Sequence, residues 1–335
     1  MAPSAPPGER RKSIELMPRA RLSWALKTGV NVAEIEVWRG SVAAWECDGM
    51  GHLNVGFYVA KSMQALAGLA AELGMTGAFA ATAEATVMVR EQHIRFLREA
   101  RPGAPISISG GVITMGETDA RLLLLMRHHS GELAASFQTV VSHVTAREGR
   151  AFPWPDRARV RAEALAVEVP EAAAPRSISL APVETQASLV RAEALSLRHT
   201  GLGVVLAADC DAFGRMRTEG FMQRLSDAVP HLFVEGRPGT DTGARKVGGA
   251  ALEYRLIHHA WPRAGDRLVL RSGSAGGDAR VRRLVHWMLD PATGRPWGTA
   301  EAIAVSFDLE TRKIITLSDD ELSRVEADAV QGLGL

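Results

Sequence analysis

The sequence predicts an α+β protein built twice, each unit a long buried helix set against one face of an antiparallel sheet. Three observations carry this expectation. An apolar run rich in Ala and Gly is followed by four strand-like runs separated by turn residues, the order of a helix followed by an antiparallel meander. The second half of the chain then repeats the first. The composition, 46% hydrophobic and 23% charged over 335 residues, suits a globular chain with two cores of ordinary size.

The elements follow in order. Residues 1–33 open with Pro, Ser and Gly, carry Arg10, Arg11 and Lys12, and read as a mobile tail with one short amphipathic piece around Leu22–Leu26. The first unit is expected over 34–149. In it VWRGSVAAWEC reads as a strand, ECDGMGHLN as a loop punctuated by Gly49 and Gly51, and GFYVAKSMQALAGLAAELG as a helix stopped by Gly74. Apolar residues cover that helix almost all round, so it should be buried on most sides. VMVREQHIRFL, PISISGGVITM, ARLLLLMRHHS and AASFQTVVSHV are the four strands, separated by RPGA, GETD and SGEL. Residues 150–195 form a Pro/Ala-rich linker in which RARVRAEALAVEV can be a short helix; the second unit is expected over 196–318 and a C-terminal segment over 319–335.

The repeat is specific. Cys47-Asp48 lies over Cys210-Asp211 and Gly51 over Gly214; further on Glu91 matches Glu253, Gly103 matches Gly265, and Asp119-Ala120-Arg121 answers Asp278-Ala279-Arg280. Each unit is therefore strand, loop, helix and four strands.

Composition also excludes functions. Lys plus Arg total 39 against 38 Asp plus Glu, a net charge of +1, so no global field recruits nucleic acid or an acidic membrane. No apolar run reaches the roughly 18 residues of a membrane span, and MAPSAPPGERRKS lacks the apolar stretch of a secretory signal. A cytoplasmic location is expected, with Cys47 and Cys210 as free thiols. The pairs His128–His129 and His258–His259 fall in strands, where neighbours face opposite sides and cannot chelate one ion together.

A strand, then Asp48-x-x-Gly51-His52-x-Asn54, then a buried helix, then a sheet entered through IRFLREARPGAPISI resembles the hotdog-fold acyl-CoA thioesterases of the 4-hydroxybenzoyl-CoA thioesterase type. Two fused copies resemble the double-hotdog acyl-thioesterases, in which each sheet wraps a long helix and sites form between paired hotdogs. The resemblance implies hydrolysis of an acyl thioester of coenzyme A or acyl carrier protein. It implies no metal and no redox cofactor, coenzyme A entering only as part of the substrate, and allows a homodimer of double hotdogs. Hotdog hydratases and dehydratases carry other motifs, a His in a Pro-rich loop or Asp-x-Asn-Pro-x-x-His, and neither is present; a non-catalytic acyl-ligand binder is the remaining alternative.

On this resemblance Asp48 is the nucleophile or general base, and the helix opening at Val55 and Gly56 offers backbone amides to a developing oxyanion. His52 and Asn54 flank it as positioners. Asp is also an ordinary turn residue and Asn an ordinary N-cap, and for Asn54 the two roles are compatible. Tyr58, Glu91, Asp211, Arg215 and Arg217 are secondary candidates for substrate binding, although a strand glutamate such as Glu91 is ordinarily structural. Met63, Met216, Met222 and Trp45 read as core or acyl-pocket lining. Arg95, Arg98, Arg280, Arg282 and Arg283 suit a solvated sheet edge better than a phosphate site. In the second copy Arg215 answers His52, Arg217 answers Asn54 and Glu219 answers Gly56, so Asp211 is expected to be held in ion pairs and the two halves to divide labour.

Overall fold

A computed structural model of the chain describes residues 34–233, 247–311 and 313–335. The expected tail, residues 1–33, lies outside the described residues.

The first unit opens with strand β1 (Ile35–Ser41). The strand was expected to continue to Cys47 but stops at Ser41, because Glu46 folds back to accept the Ala43 N–H at 2.8 Å and turns residues Ala44–Glu46 into a single 3-10 turn. That turn leaves Trp45 81% exposed, so it lines neither core nor pocket. Helix α1 (Val55–Glu72) starts at an Asn54 N-cap and is ended by Gly74, whose φ of 85° only glycine adopts readily. Strands β2 (Ala85–Phe96), β3 (Pro105–Met115), β4 (Asp119–His128) and β5 (Leu133–Thr145) follow.

The segment expected as a linker contains helices α2 (Asp156–Ala164) and α3 (Leu189–Ala194). The second unit repeats the first as β6 (Arg198–Val204), α4 (Thr218–Leu232), β7 (Val247–His258), β8 (Arg267–Gly277), β9 (Val281–Leu289) and β10 (Pro296–Asp308), before α5 (Asp319–Ala327). The match of Asp119-Ala120-Arg121 to Asp278-Ala279-Arg280 is out of register. Asp278 begins the turn that accepts the N–H groups of Arg280 and Val281, whereas Asp119 begins β4 as Val281 begins β9.

The ten strands among the described residues form one sheet in the order β1-β3-β4-β5-β2-β7-β10-β9-β8-β6. Its two halves are mirror sequences of strands about the antiparallel β2–β7 pair, where Ile94 lies opposite Tyr254, Gln92 opposite Leu256 and His93 opposite Arg255. This is a double hotdog. Alternation along β2 sends Gln92 to the helix side, where it bonds Ser62 of α1, and His93 to the other side. Helices α1 and α4 pack against each other on that first face. On the opposite face residues 173–179 are strapped over the seam: Gln138 and Arg95 donate to the carbonyls of Ala173 and Ala174, Arg283 and Arg255 to those of Ser177 and Ser179.

Candidate functional site

Two loops with one backbone design lie before α1 and α4. In the first, Asp48 Oδ1 accepts the N–H groups of Met50 at 2.8 Å and His52 at 3.3 Å, while the Asp48 N–H reaches the His52 carbonyl at 2.8 Å. The turn closes at Gly51, with φ of 77°. A buried ion pair fastens the loop to the helix: Lys61 Nζ lies 2.8 Å from Glu46, whose backbone also receives the Asn54 N–H. These contacts hold Oδ1, and Oδ2 has no donor among the described residues.

Asp48 stands on the wall of a cavity of about 780 Å³ that no single unit encloses. One side is the loop, Tyr58 and the end of β2; the other is the C-terminal part of α4 and the inner faces of β7, β9 and β10. His52 lies between two carboxylates, with Nδ1 3.9 Å from Asp48 and Nε2 3.4 Å from Glu99. Its imidazole can thus relay orientation from Glu99 to the Asp48 loop.

The helix opening is more selective than expected. Asn54 Oδ1 takes the Gly56 N–H at 2.9 Å and its amide donates to Ser226 of α4 at 3.1 Å, so Asn54 is an N-cap and an inter-helix tie. Gly56 is thereby removed from the expected pair of oxyanion donors and does not border the cavity. Val55 does border it, and its N–H has no acceptor among the described residues. Tyr58 lines the cavity with its ring. Its hydroxyl, pushed up to about 12 by burial, accepts the Ala100 N–H at 3.1 Å and so steadies the turn that carries Glu99.

The remaining candidates lie elsewhere. Glu91 accepts from Arg255 at 2.9 Å on the face away from the helices, and the equivalent Glu253 takes His93 at 2.7 Å together with the N–H groups of Arg176 and Ser177. Both glutamates fasten the seam. In the second loop Asp211 Oδ1 accepts from Phe213 and Arg215 N–H, at 2.8 and 2.9 Å, and Oδ2 is covered by Arg215 Nε at 3.3 Å. Arg217 does not reach Asp211, because it turns to the Ala208 carbonyl and to Glu219. Both thiols are free, and burial leads the causes that raise each pKa, which disfavours the nucleophilic thiolate.

Glu99, Ser226 and the second-unit wall were not found from the motif. A signal existed for Glu99: by the Glu91–Glu253 register it is answered by Trp261, one of the sharper differences between the copies.

A hotdog pair with a carboxylate loop facing a shared apolar cavity defines a class, the thioester hydrolases of the hotdog fold. The chain belongs to the thioesterase-like superfamily, whose family profile matches it twice, over residues 42–163 and 205–325. Among solved structures it is similar to an acyl-ACP thioesterase from Bacteroides thetaiotaomicron VPI-5482, with 11% identity, coverage of 81% of this chain and 98% of that one, and a TM-score of 0.61. The 12:0-ACP thioesterase from Umbellularia californica gives 12% identity over 84% and 96% of the two chains, also with a TM-score of 0.61. At these identities the likeness is one of fold. No curated protein matches the chain at a significant level. Among the described residues no helix is long and apolar enough to cross a membrane.

Proposed function

We propose that this hydrolase works at one cavity, cleaving an acyl thioester of coenzyme A or acyl carrier protein with Asp48 as the reacting carboxylate. The observation that carries this reading is the state of Oδ2: without a donor among the described residues at Asp48, covered by a guanidinium at Asp211. In the hydrolytic step water attacks the thioester carbonyl and gives its proton to Asp48 Oδ2, while the Val55 N–H receives the developing oxyanion. The intermediate then expels the thiolate, which recovers the proton from Asp48, leaving acid and thiol. His52, held against Glu99, orients the loop during both transfers. The chemistry suits soluble thioesters in the cytoplasm, where both cysteines stay reduced.

The test is free-thiol release from a panel of acyl-CoAs by the wild-type chain and Asp48→Asn. Loss of at least about a hundredfold in kcat with the fold intact is expected; near-normal turnover would overturn the assignment. Single turnover in ¹⁸O-water separates the water route from direct attack, since label in Asp48 itself requires an anhydride between the carboxylate and the acyl group.

A further inference from the structure

Building on that reading, we propose that Arg282 and Tyr254 hold an anionic oxygen group at the far end of the substrate's acyl part, so that the preferred substrates are carboxylated acyl thioesters.

The argument begins with the sheet register. Tyr254, Ala302 and Leu284 lie side by side on β7, β10 and β9; the next inward-facing row is Ala251, Ala304 and Arg282. All six border the cavity. Three alanines therefore leave room between one phenol and one guanidinium. The first unit fills the corresponding rows differently. Gln92 stands where Tyr254 does and is tied to Ser62 and Thr139; in the second unit these partners are replaced by Leu225 and Ala302, neither of which can bond a hydroxyl. The Tyr254 hydroxyl accordingly has no hydrogen bond among the described residues, although the residue is only 3% exposed. Burial pushes its pKa to about 12, so it remains a neutral donor.

Arg282 was expected on a solvated edge. Instead the next residue, Arg283, takes the outer face and pairs with Glu301 at 2.8 Å, while Arg282 turns inward and lies over the Phe233 ring at 5.7 Å. Its Nε is buried without a partner, and it makes no ion pair among the described residues. Glu321 feels its charge, but that carboxylate is bonded to the N–H and hydroxyl of Ser318 at the start of α5.

What the acyl part brings against the Arg282 guanidinium and the Tyr254 hydroxyl on the cavity wall decides whether these donors are paired. A plain alkyl end would leave a cation and a hydroxyl unpaired in an apolar pocket, which is costly. A carboxylate would pair with both. The position also fits: Ser226 is tied to Asn54 at the Asp48 end, and Phe233 lies seven residues further along and just past the end of α4, roughly 10 Å at the helical rise. The phosphates of the thiol carrier offer the same chemistry, so a carrier without phosphate is required to tell the two apart.

The experiment compares suberyl with octanoyl thioesters, each on coenzyme A and on phosphate-free N-acetylcysteamine, for wild type, Arg282→Met and Tyr254→Phe. Wild type should favour suberyl by at least about tenfold in kcat/KM on both carriers, a ratio that Arg282→Met lowers by at least about tenfold and Tyr254→Phe by less, the range of a charge-assisted hydrogen bond. A wild-type preference for octanoyl on N-acetylcysteamine, or an unchanged ratio in Arg282→Met, overturns the proposal. Equal losses for both acyl groups confined to coenzyme A overturn it in favour of the carrier's phosphate. Thermal shift with suberate supplies a readout independent of turnover: stabilisation of wild type but not of folded Arg282→Met supports the proposal even if no thioester is cleaved, in which case the hydrolase assignment fails alone. Absence of both selectivity and stabilisation overturns it.

Discussion

At Asp48 and at Asp211 the chain makes the same turn: a carboxylate oxygen collects two amides, the aspartate N–H returns to the carbonyl four residues on, and a glycine with φ of 77° closes the loop. Even the fastening repeats, Lys61 to Glu46 and the Ser41 carbonyl in one copy, Arg224 to Asp209 and the Val204 carbonyl in the other. What differs is the side chain four residues after the aspartate. His52 leaves Asp48 Oδ2 without a donor among the described residues, on the wall of the cavity; Arg215 closes Asp211 Oδ2 and extends to within 3.3 Å of the Met88 sulfur. The opposing strands diverge in step, with Val87, Met88 and Val89 in one unit answered by Gly249, Ala250 and Ala251 in the other. Backbone motif and surroundings are thus separable: the same turn stands in both copies, and on the proposed function what sets Asp48 apart is an oxygen without a donor among the described residues and an opposing wall of small residues.

The largest expected effect tests that separation directly. Asp48→Asn should lose between about a hundredfold and ten-thousandfold in kcat, and Asp211→Asn only a few-fold, the latter seen chiefly in stability. Equal kcat losses would mean two working sites.

Next in size is the fastening. Lys61 and Glu46 are nearly enclosed, with side chains 5% and 15% exposed, whereas Arg224 and Asp209 are 24% and 34% exposed. Lys61→Met should cost about 3 kcal/mol and Arg224→Met about 1 kcal/mol or less, read from denaturant unfolding. Equal costs would show that burial does not distinguish the two pairs.

Third, the second unit carries His258 and His286, whose pKa values burial depresses to about 3 and about 4. Both are neutral when folded and take up a proton near 6.5 when unfolded. Their stabilisation is therefore complete above about pH 6.5 and is lost as pH falls toward the folded values. His258→Phe, in a site between Phe221 and Trp261, should remove up to about 1.4 kcal/mol per pH unit from the slope between pH 6 and 4; an unchanged slope would exonerate His258. Smallest is Asn54→Ala, expected to cost about 1 kcal/mol of stability as a lost N-cap, with a rise in kcat/KM counting against the inter-helix tie.

Much of this was legible from local pattern. The four strands that follow α1, that helix with its Gly74 stop, and the Asp48 turn all depend on residues a few positions apart, as does Arg215's pairing with Asp211 at four residues' separation. Where the reading failed, a distant or competing contact intervened. Glu46 curled back and ended β1 early; Asn54 met Ser226, 172 residues away, and took the Gly56 amide with its other end. Glu91 looked like a site residue because Glu253 repeats it, yet both repeat for the sake of the seam.

By itself, then, the sequence determined the repeat, the class of fold and the carboxylate at the loop, because periodicity, turn chemistry and an in-register duplication act over short distances and survive in one dimension. Only the tertiary structure decided which aspartate oxygen lacks a donor among the described residues, which helix-start amide borders the cavity and what lines that cavity. Those outcomes depend on the β2–β7 pairing, which brings β7, β9 and β10 of one unit over the loop of the other, and no spacing along the chain encodes which side chains meet across that join.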